Sequence, residues 1–179
     1  MLKRDSSAPG EVRYCYVESP IGDILVAGAD DGLRCVGFSR KSGRQSPGYG
    51  WIAAEPEEFS EARSQLAAYF AKELQEFSLP LAPEGSAFQK DVWDALLGIP
   101  YGEVISYGEQ ARRVGQPDGA QAVGAANGAN PIAIVIPCHR VVGADGSLTG
   151  FTGGLHIKKF LLAHEQAMKR SDDGQLRLI

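Results

Sequence analysis

SLPLAPEGSAFQKDVWDALLGIPYGEVISYGEQARRV, residues 78–114, divides the chain. Its first nine residues carry two prolines and a glycine between two periodic segments, the composition of a domain boundary. Behind them Phe88, Val92, Trp93, Leu96 and Leu97 fall on one helical face. That helix should stop before Ile99-Pro100, because the residue preceding a proline avoids the helical region. Ser106 offers an N-cap for a second helix running to about Val114. Gly115-Gln116-Pro117-Asp118 makes a turn, and an Ala- and Gly-rich helix follows over 119–128. Two short helices joined by a tight turn form a helix-turn-helix, although the same pattern describes an ordinary helical hairpin.

Upstream the apolar period shortens from that of a helix to that of a strand. VRYCYVESP, ILVAGA and LRCVGF, separated by turns at 20–23 and 30–32, read as a three-stranded antiparallel meander over 12–38. Residues 39–50, rich in Ser, Gly and charge, read as an exposed loop. From 57 to 76, Phe59, Leu66, Tyr69, Phe70 and Leu74 recur at helical spacing, predicting a helix across the meander. The expected fold class is α+β, with a small α+β domain at 1–83, a mainly helical domain at 84–170 and a polar tail at 171–179.

The 179 residues, 44% of them hydrophobic, suffice for two small cores. Cys15, Cys35 and Cys138 are odd in number and lack CxxC spacing, which predicts reduced thiols in a cytoplasmic protein without a structural metal. No secretory signal and no bilayer-length apolar run is evident, so no membrane partner is expected. The net charge of −4 argues against a nucleic-acid partner, but it belongs to the first half. Residues 1–85 carry 9 Lys+Arg against 13 Asp+Glu; residues 86–179 carry 9 against 9.

Chemistry concentrates in Pro137-Cys138-His139-Arg140-Val141-Val142, where reactive polar side chains follow the β-branched run 132–136, itself expected to be extended and buried. A lone buried Cys is usually an inert small hydrophobe, and its pKa is raised. A working nucleophile there needs a base and a group to orient the base. His139 is the nearest base, acting through a water if the two side chains diverge. Glu165, in register with Ile157 and Leu161 on a final helix expected over 155–168, is a candidate orienter. It could equally reach water from a boundary position, or pair with Arg140 or Lys158. Five glycines in residues 143–154 fit no nucleotide-binding pattern and suit either a flexible loop or a pocket wall.

Pro137-Cys138-His139-Arg140-Val141, with Tyr101-Gly102-Glu103 and Ser106-Tyr107-Gly108 before it and Leu161-Leu162-Ala163-His164-Glu165 after it, closely resembles the O6-alkylguanine-DNA alkyltransferases. The match is dense from about Phe88 to Glu165. The resemblance implies a ribonuclease-H-like N-terminal domain followed by a winged-helix-like domain. It implies that double-stranded DNA holding an alkylated guanine is bound through the minor groove by a protein monomeric without DNA, and that no cofactor is needed. Cys138 matches the alkyl acceptor, His139 the base acting through water, Glu165 the carboxylate holding that base, and Tyr107 the tyrosine that assists guanine departure. Asn130 matches a hinge asparagine, and Gln121, Ala122, Arg140, Val141, Phe151, Thr152 and Gly153 match positions at the DNA or the flipped base. Alkyl transfer from O6-alkylguanine, and from O4-alkylthymine, would be irreversible and occur once per molecule.

Two positions depart from the family pattern. Gln121 stands where an arginine usually fills the gap left by the flipped base, and Phe151 where many members have tyrosine; Thr152 could donate toward O6. Three rival readings differ in testable ways. Non-catalytic lesion binders of similar fold lack the acceptor cysteine, a Cys-His hydrolase would turn over, and a transcription factor would carry Lys or Arg on residues 119–129, which have none.

Overall fold

Alternation between residues 12 and 38 becomes three antiparallel strands, β1 (Arg13–Val17), β2 (Ile24–Ala29) and β3 (Gly32–Phe38). The computed structural model describes residues 10–39, 44–170 and 176–178. Leu25, Ala27 and Cys35 cluster on one sheet face with Val12, Tyr14, Tyr16 and Trp51. A short strand that the sequence pattern did not signal, β4 (Ile52–Ala53), pairs parallel with β1 and completes the order β3-β2-β1-β4. The β2–β3 ladder slips between Ala27 and Gly28, where a Cβ on Gly28 would meet the Gly32 carbonyl at 2.7 Å.

The helix expected over 57–76 is shorter. A 3-10 turn at Pro56–Phe59 leads into α1 (Ser60–Phe70), which buries Leu66 and Tyr69. The chain then folds back, with Lys72 at φ 64° and the Lys72 and Glu73 amides on the Tyr69 and Ala68 carbonyls. Such a left-handed residue closes a helix whatever the apolar spacing beyond it.

Two segments pair with β3. Around Leu33, Leu33 N donates to Pro80 O and Ala82 N to Leu33 O, both at 2.8 Å, so the Pro-rich stretch is anchored there. Around Val36, Val36 N donates to Pro131 O and Ala133 N to Val36 O, both at 2.9 Å. Described residues up to Gly85 cluster with Pro131–Val135 as one compact unit, and Ser86–Asn130 clusters with the chain from Ile136 onward as another.

Residues 132–136 are buried, as expected, but only Ile132 is bridged as a strand would be, parallel to Val36, and the run turns after it. Val135 N donates to Ala133 O at 2.9 Å around Ile134, whose φ is 71°; Cys138 N donates to Ile136 O at 2.8 Å around Pro137. These are three-residue turns, and a β-branched residue at positive φ is a costly conformation held by its surroundings. Strand propensity has given way to tertiary pairing at Val36.

The second unit begins with α2 (Ala87–Leu97), whose N-cap Ser86 exchanges hydrogen bonds with Gln89 and which ends at Gly98, ahead of Ile99-Pro100. After β5 (Ile105–Ser106) come α3 (Tyr107–Arg113), capped by Ser106, and α4 (Ala120–Gly128). Buried amides tie these helices together. Gln110 and Asn127 donate to each other, Gln110 Nε2 also reaches Val92 O, and Trp93 Nε1 donates to Ala126 O at 2.8 Å.

A 3-10 turn at Cys138–Arg140 leads into β6 (Val141–Val142), parallel to β5, and then α5 (Leu155–His164). The last helix stops four residues short of its expected end, because Gln166 takes φ 61°. The expected polar tail contains a strand, β8 (Leu176–Leu178), antiparallel to β7 (Met168–Arg170). Residues 171–175 and 179 of that tail lie outside the described residues. Among the described residues no helix is long and apolar enough to cross a membrane.

Candidate active site

Pairing of Ile105 with Val141 sets the Cys138–Arg140 turn beside the start of α3, where Tyr107 stands. Cys138, His139 and Arg140 are all buried. At the other end of the constellation is Glu165, the C-cap of α5, 1% exposed. α5 buries Ile157, Lys158, Leu161 and Leu162, and Glu165 continues that stripe.

Glu165 makes both of the partnerships open to it within the turn. His139 Nε2 lies 2.8 Å from its Oε1, Arg140 Nε donates to Oε2 at 2.8 Å, and Arg140 Nη2 donates to Oε1 at 3.0 Å. Gly102 N adds a fourth donor at 3.3 Å from Oε2. Burial works to raise the carboxyl's pKa, but the hydrogen bond from His139 and the hydrogen bonds and charge of Arg140 outweigh it and hold the group well below the usual carboxylate range. Glu165 is an anion at neutral pH.

That anion fixes the imidazole. Burial lowers the pKa of His139 and outweighs the hydrogen bond and charge of Glu165, which work to raise it; the charges of Arg140 and Lys158 add to the fall, so the ring is neutral. An acceptor at Nε2 requires the proton there, leaving Nδ1 as a bare lone pair. Nδ1 is buried and has no hydrogen-bond partner in the structure. One ring nitrogen is therefore held by Glu165 and the other is an acceptor without a partner.

Cys138 is pushed up by burial, and two contacts work against that rise. Asn130 Nδ2 donates to Sγ at 3.2 Å while bonding Ile136 O at 2.8 Å, and the Lys158 ammonium lies close enough to favour the thiolate. Lys158 is wholly buried, with Nζ donating to Val141 O at 2.6 Å and Thr149 O at 2.9 Å; burial brings its pKa down to about 8. It makes no pair with Glu165. Its place on the buried stripe of α5 was a signal available in the sequence, since a lysine there must find acceptors.

Tyr107 caps the opposite side. Its ring lies 3.7 Å from where a Cβ on Gly124 of α4 would stand, and its hydroxyl donates to Thr149 O at 3.1 Å. Burial raises its pKa, so it remains a proton donor. Gly146, Gly150 and Gly154 take positive φ in the glycine-rich segment, and Thr152 Oγ1 donates to Gly128 O at 2.6 Å, so its hydroxyl is committed to α4. Phe151 and Gly153 are half-buried in the same wall, and Gln121 and Ala122 are exposed on α4.

Arg140 and Val141 are both buried. Arg140 is held by Glu165 and by Ile99 O at 2.6 Å, with Tyr101 beneath its guanidinium; Val141 is buried in β6. An arginine between apolar runs is buried only with a carboxylate partner. Gly102 was missed as well: with φ 80° and a Cβ position 2.9 Å from Glu165 O, it must be glycine. Among the described residues no group of three or more His, Cys, Asp or Glu side chains could hold a metal ion.

A family model described as 6-O-methylguanine DNA methyltransferase, ribonuclease-like domain, matches residues 12–83, and one described as the DNA binding domain of the same proteins matches residues 87–167. The methylated-DNA–protein-cysteine methyltransferase of Methanosarcina acetivorans is 53% identical over 152 residues, covering 85% of this chain and 97% of its own. The protein of that name from Mycolicibacterium paratuberculosis is 51% identical over 158 residues, covering 87% and 93%. Mycobacterium tuberculosis OGT, solved in complex with DNA, aligns with a TM-score of 0.80 at 48% identity over 86% of this chain and 92% of that one. With half of its residues shared with such relatives over nearly their whole length, the chain belongs to the 6-O-methylguanine DNA methyltransferase family.

Proposed function

We propose that this protein repairs DNA by transferring the alkyl group of O6-alkylguanine, and of O4-alkylthymine, irreversibly to Cys138. The observation that carries the reading is the buried arrangement in which Glu165 holds His139 Nε2–H and leaves Nδ1 without a partner, one residue along the chain from a buried cysteine whose sulfur accepts from Asn130. The names of the relatives and the DNA-bound M. tuberculosis structure support the same reading.

On this reading residues 84–170 bind DNA and carry the chemistry, and residues 1–83 form the ribonuclease-H-like domain. A buried thiol cannot reach an alkyl carbon within a base stack, so the nucleotide rotates out toward Cys138, past Tyr107 and the glycine-rich segment that its hydroxyl bonds at Thr149 O. His139 Nδ1 takes the thiol proton through a water. The thiolate attacks the alkyl carbon, an S–C bond forms as the C–O6 bond breaks, and the electron pair leaves with guanine. Tyr107 donates its proton to the departing base and recovers one from solvent. The thioether has no good leaving group, so each molecule acts once. α4 presents Ala122, Ala125 and Gly128 beside Gln121 along one exposed face, and these three small residues suit close approach in a minor groove. The protein is a monomer in the absence of DNA.

Intact-protein mass spectrometry after mixing with a duplex bearing one O6-methylguanine tests the reading, with Cys138→Ser as control. The expected result is a gain of one methyl mass, absent in the variant and stopping at one per chain. Binding without any mass gain would instead make the protein a lesion sensor.

A further inference from the structure

We propose that Arg112 and Arg113, at the end of α3, form a DNA backbone phosphate site held in readiness by Glu109; the inference rests on the DNA-repair reading above. Phosphate neutralisation needs cations, and α4 has none. Of the other cations in this unit, Arg140 and Lys158 are buried and committed to protein partners, Lys90 lies on α2, Lys159 on α5, and Lys169, Arg170 and Arg177 on the β7–β8 hairpin, outside the helix-turn-helix. Arg112 and Arg113 are exposed, with side chains 62% and 40% accessible.

Both guanidiniums converge on one carboxylate. Arg112 Nη2 and Nε donate to Glu109 Oε2 at 2.7 and 3.2 Å, and Arg113 Nε donates to Oε1 at 3.1 Å. Two positive charges share one negative charge, leaving a surplus of one with several unused N–H donors, in a fork suited to phosphate oxygens. The location suits the role. Arg112 Nη1 lies 4.0 Å from where a Cβ on Gly108 would be, next to Tyr107, whose ring faces Gly124 of α4. The pair enters the turn from which α4 emerges with Gln121 exposed. In a helix-turn-helix the first helix crosses the phosphate backbone while the second enters a groove. On DNA an arginine exchanges Glu109 for a phosphate, supplying charge that α4 and Gln121 lack.

Binding of an undamaged duplex, titrated between about 50 and 200 mM salt, tests the site with Arg112→Gln/Arg113→Gln and with Glu109→Gln. Each phosphate contact contributes about 0.9 to the slope of log K against log salt, roughly a threefold affinity loss over that range. The double variant is expected to lose one to two contacts' worth of slope and to bind more weakly at low salt. Glu109→Gln, which frees both guanidiniums, is expected to bind more tightly. Thermal midpoints, and methyl transfer from free O6-methylguanine nucleoside read by mass, are expected to stay unchanged. If the three are only a helix-stabilising ion cluster, slope and affinity will match the unmodified protein in both variants, which overturns the site and leaves alkyl transfer standing. Absence of transfer in the unmodified protein would overturn the underlying reading and the site with it.

Discussion

The Cys138–Arg140 turn and helix α4 lie in the same unit and follow opposite rules. The turn buries a thiol, an imidazole and a guanidinium against one carboxylate that accepts from four donors. α4 exposes Gln121, Ala122, Ala125 and Gly128 and carries no charge. Preorganised polar groups are worth most where water is excluded, and each is costly if its partner is lost. A surface that must approach another macromolecule's backbone works instead by removing side chains. Substitutions in the two regions should therefore fail in different ways, through folding and rate in one and through affinity alone in the other.

Arg140→Ala should give the largest effect. It leaves Glu165 with its charge buried and one cation fewer, and breaking a buried pair from one side costs about 3–5 kcal/mol. Denaturant unfolding of the free protein measures it. A loss below about 1 kcal/mol would mean that the charge is solvated in some other way, and the contrast with α4 would weaken.

His139→Gln keeps a donor toward Glu165 but removes the base. Single-turnover transfer from an O6-methylguanine duplex should slow by about 10²-fold, the lower end for a general base, while duplex affinity holds. An unslowed reaction would show that the thiol loses its proton by another route.

These predictions depend unevenly on the sequence. Cys138 and His139 stood out because polar reactive groups interrupted an apolar run. Helix ends were legible where a cap or a proline was local, as at Ser106 and at Ile99-Pro100. Ile132 to Ile136 misled, because β-branched residues signal strand by their local preference, whereas the backbone there answers to Val36 and turns at Ile134. Glu165 was found by periodicity, but its partners could only be enumerated, and the structure shows His139 and Arg140 bound at once. The burial of Arg140 was illegible for a related reason: a guanidinium's burial depends on where a distant carboxylate lies.

A pH series sharpens the account of the turn. The neutral His139 has a folded pKa below its ordinary 6.5, so the unfolded chain binds the proton first. Its contribution to stability is complete above about pH 6.5 and is lost as pH falls through the folded value. Glu165, also depressed, adds a second loss beginning below about 4.5. The thermal midpoint should decline from about pH 6.5 downward, and His139→Gln should flatten the upper part of that decline and spare the lower. An identical profile in the variant would mean that the ring is already charged in the folded protein.

The smallest effect on stability belongs to α4. Ala125 is exposed, so Ala125→Leu exchanges one good helix former for another and should change unfolding free energy by less than about 0.5 kcal/mol. Its added isobutyl group would stand on the row of Gln121, Ala122 and Gly128. If that row approaches a groove floor, duplex affinity should fall several-fold with the salt slope unchanged, because no phosphate contact is lost. Transfer from the free nucleoside should be untouched. A variant that binds DNA as well as the parent would place the contact elsewhere on the unit, and the bareness of α4 would then reflect only its packing against Tyr107 at Gly124.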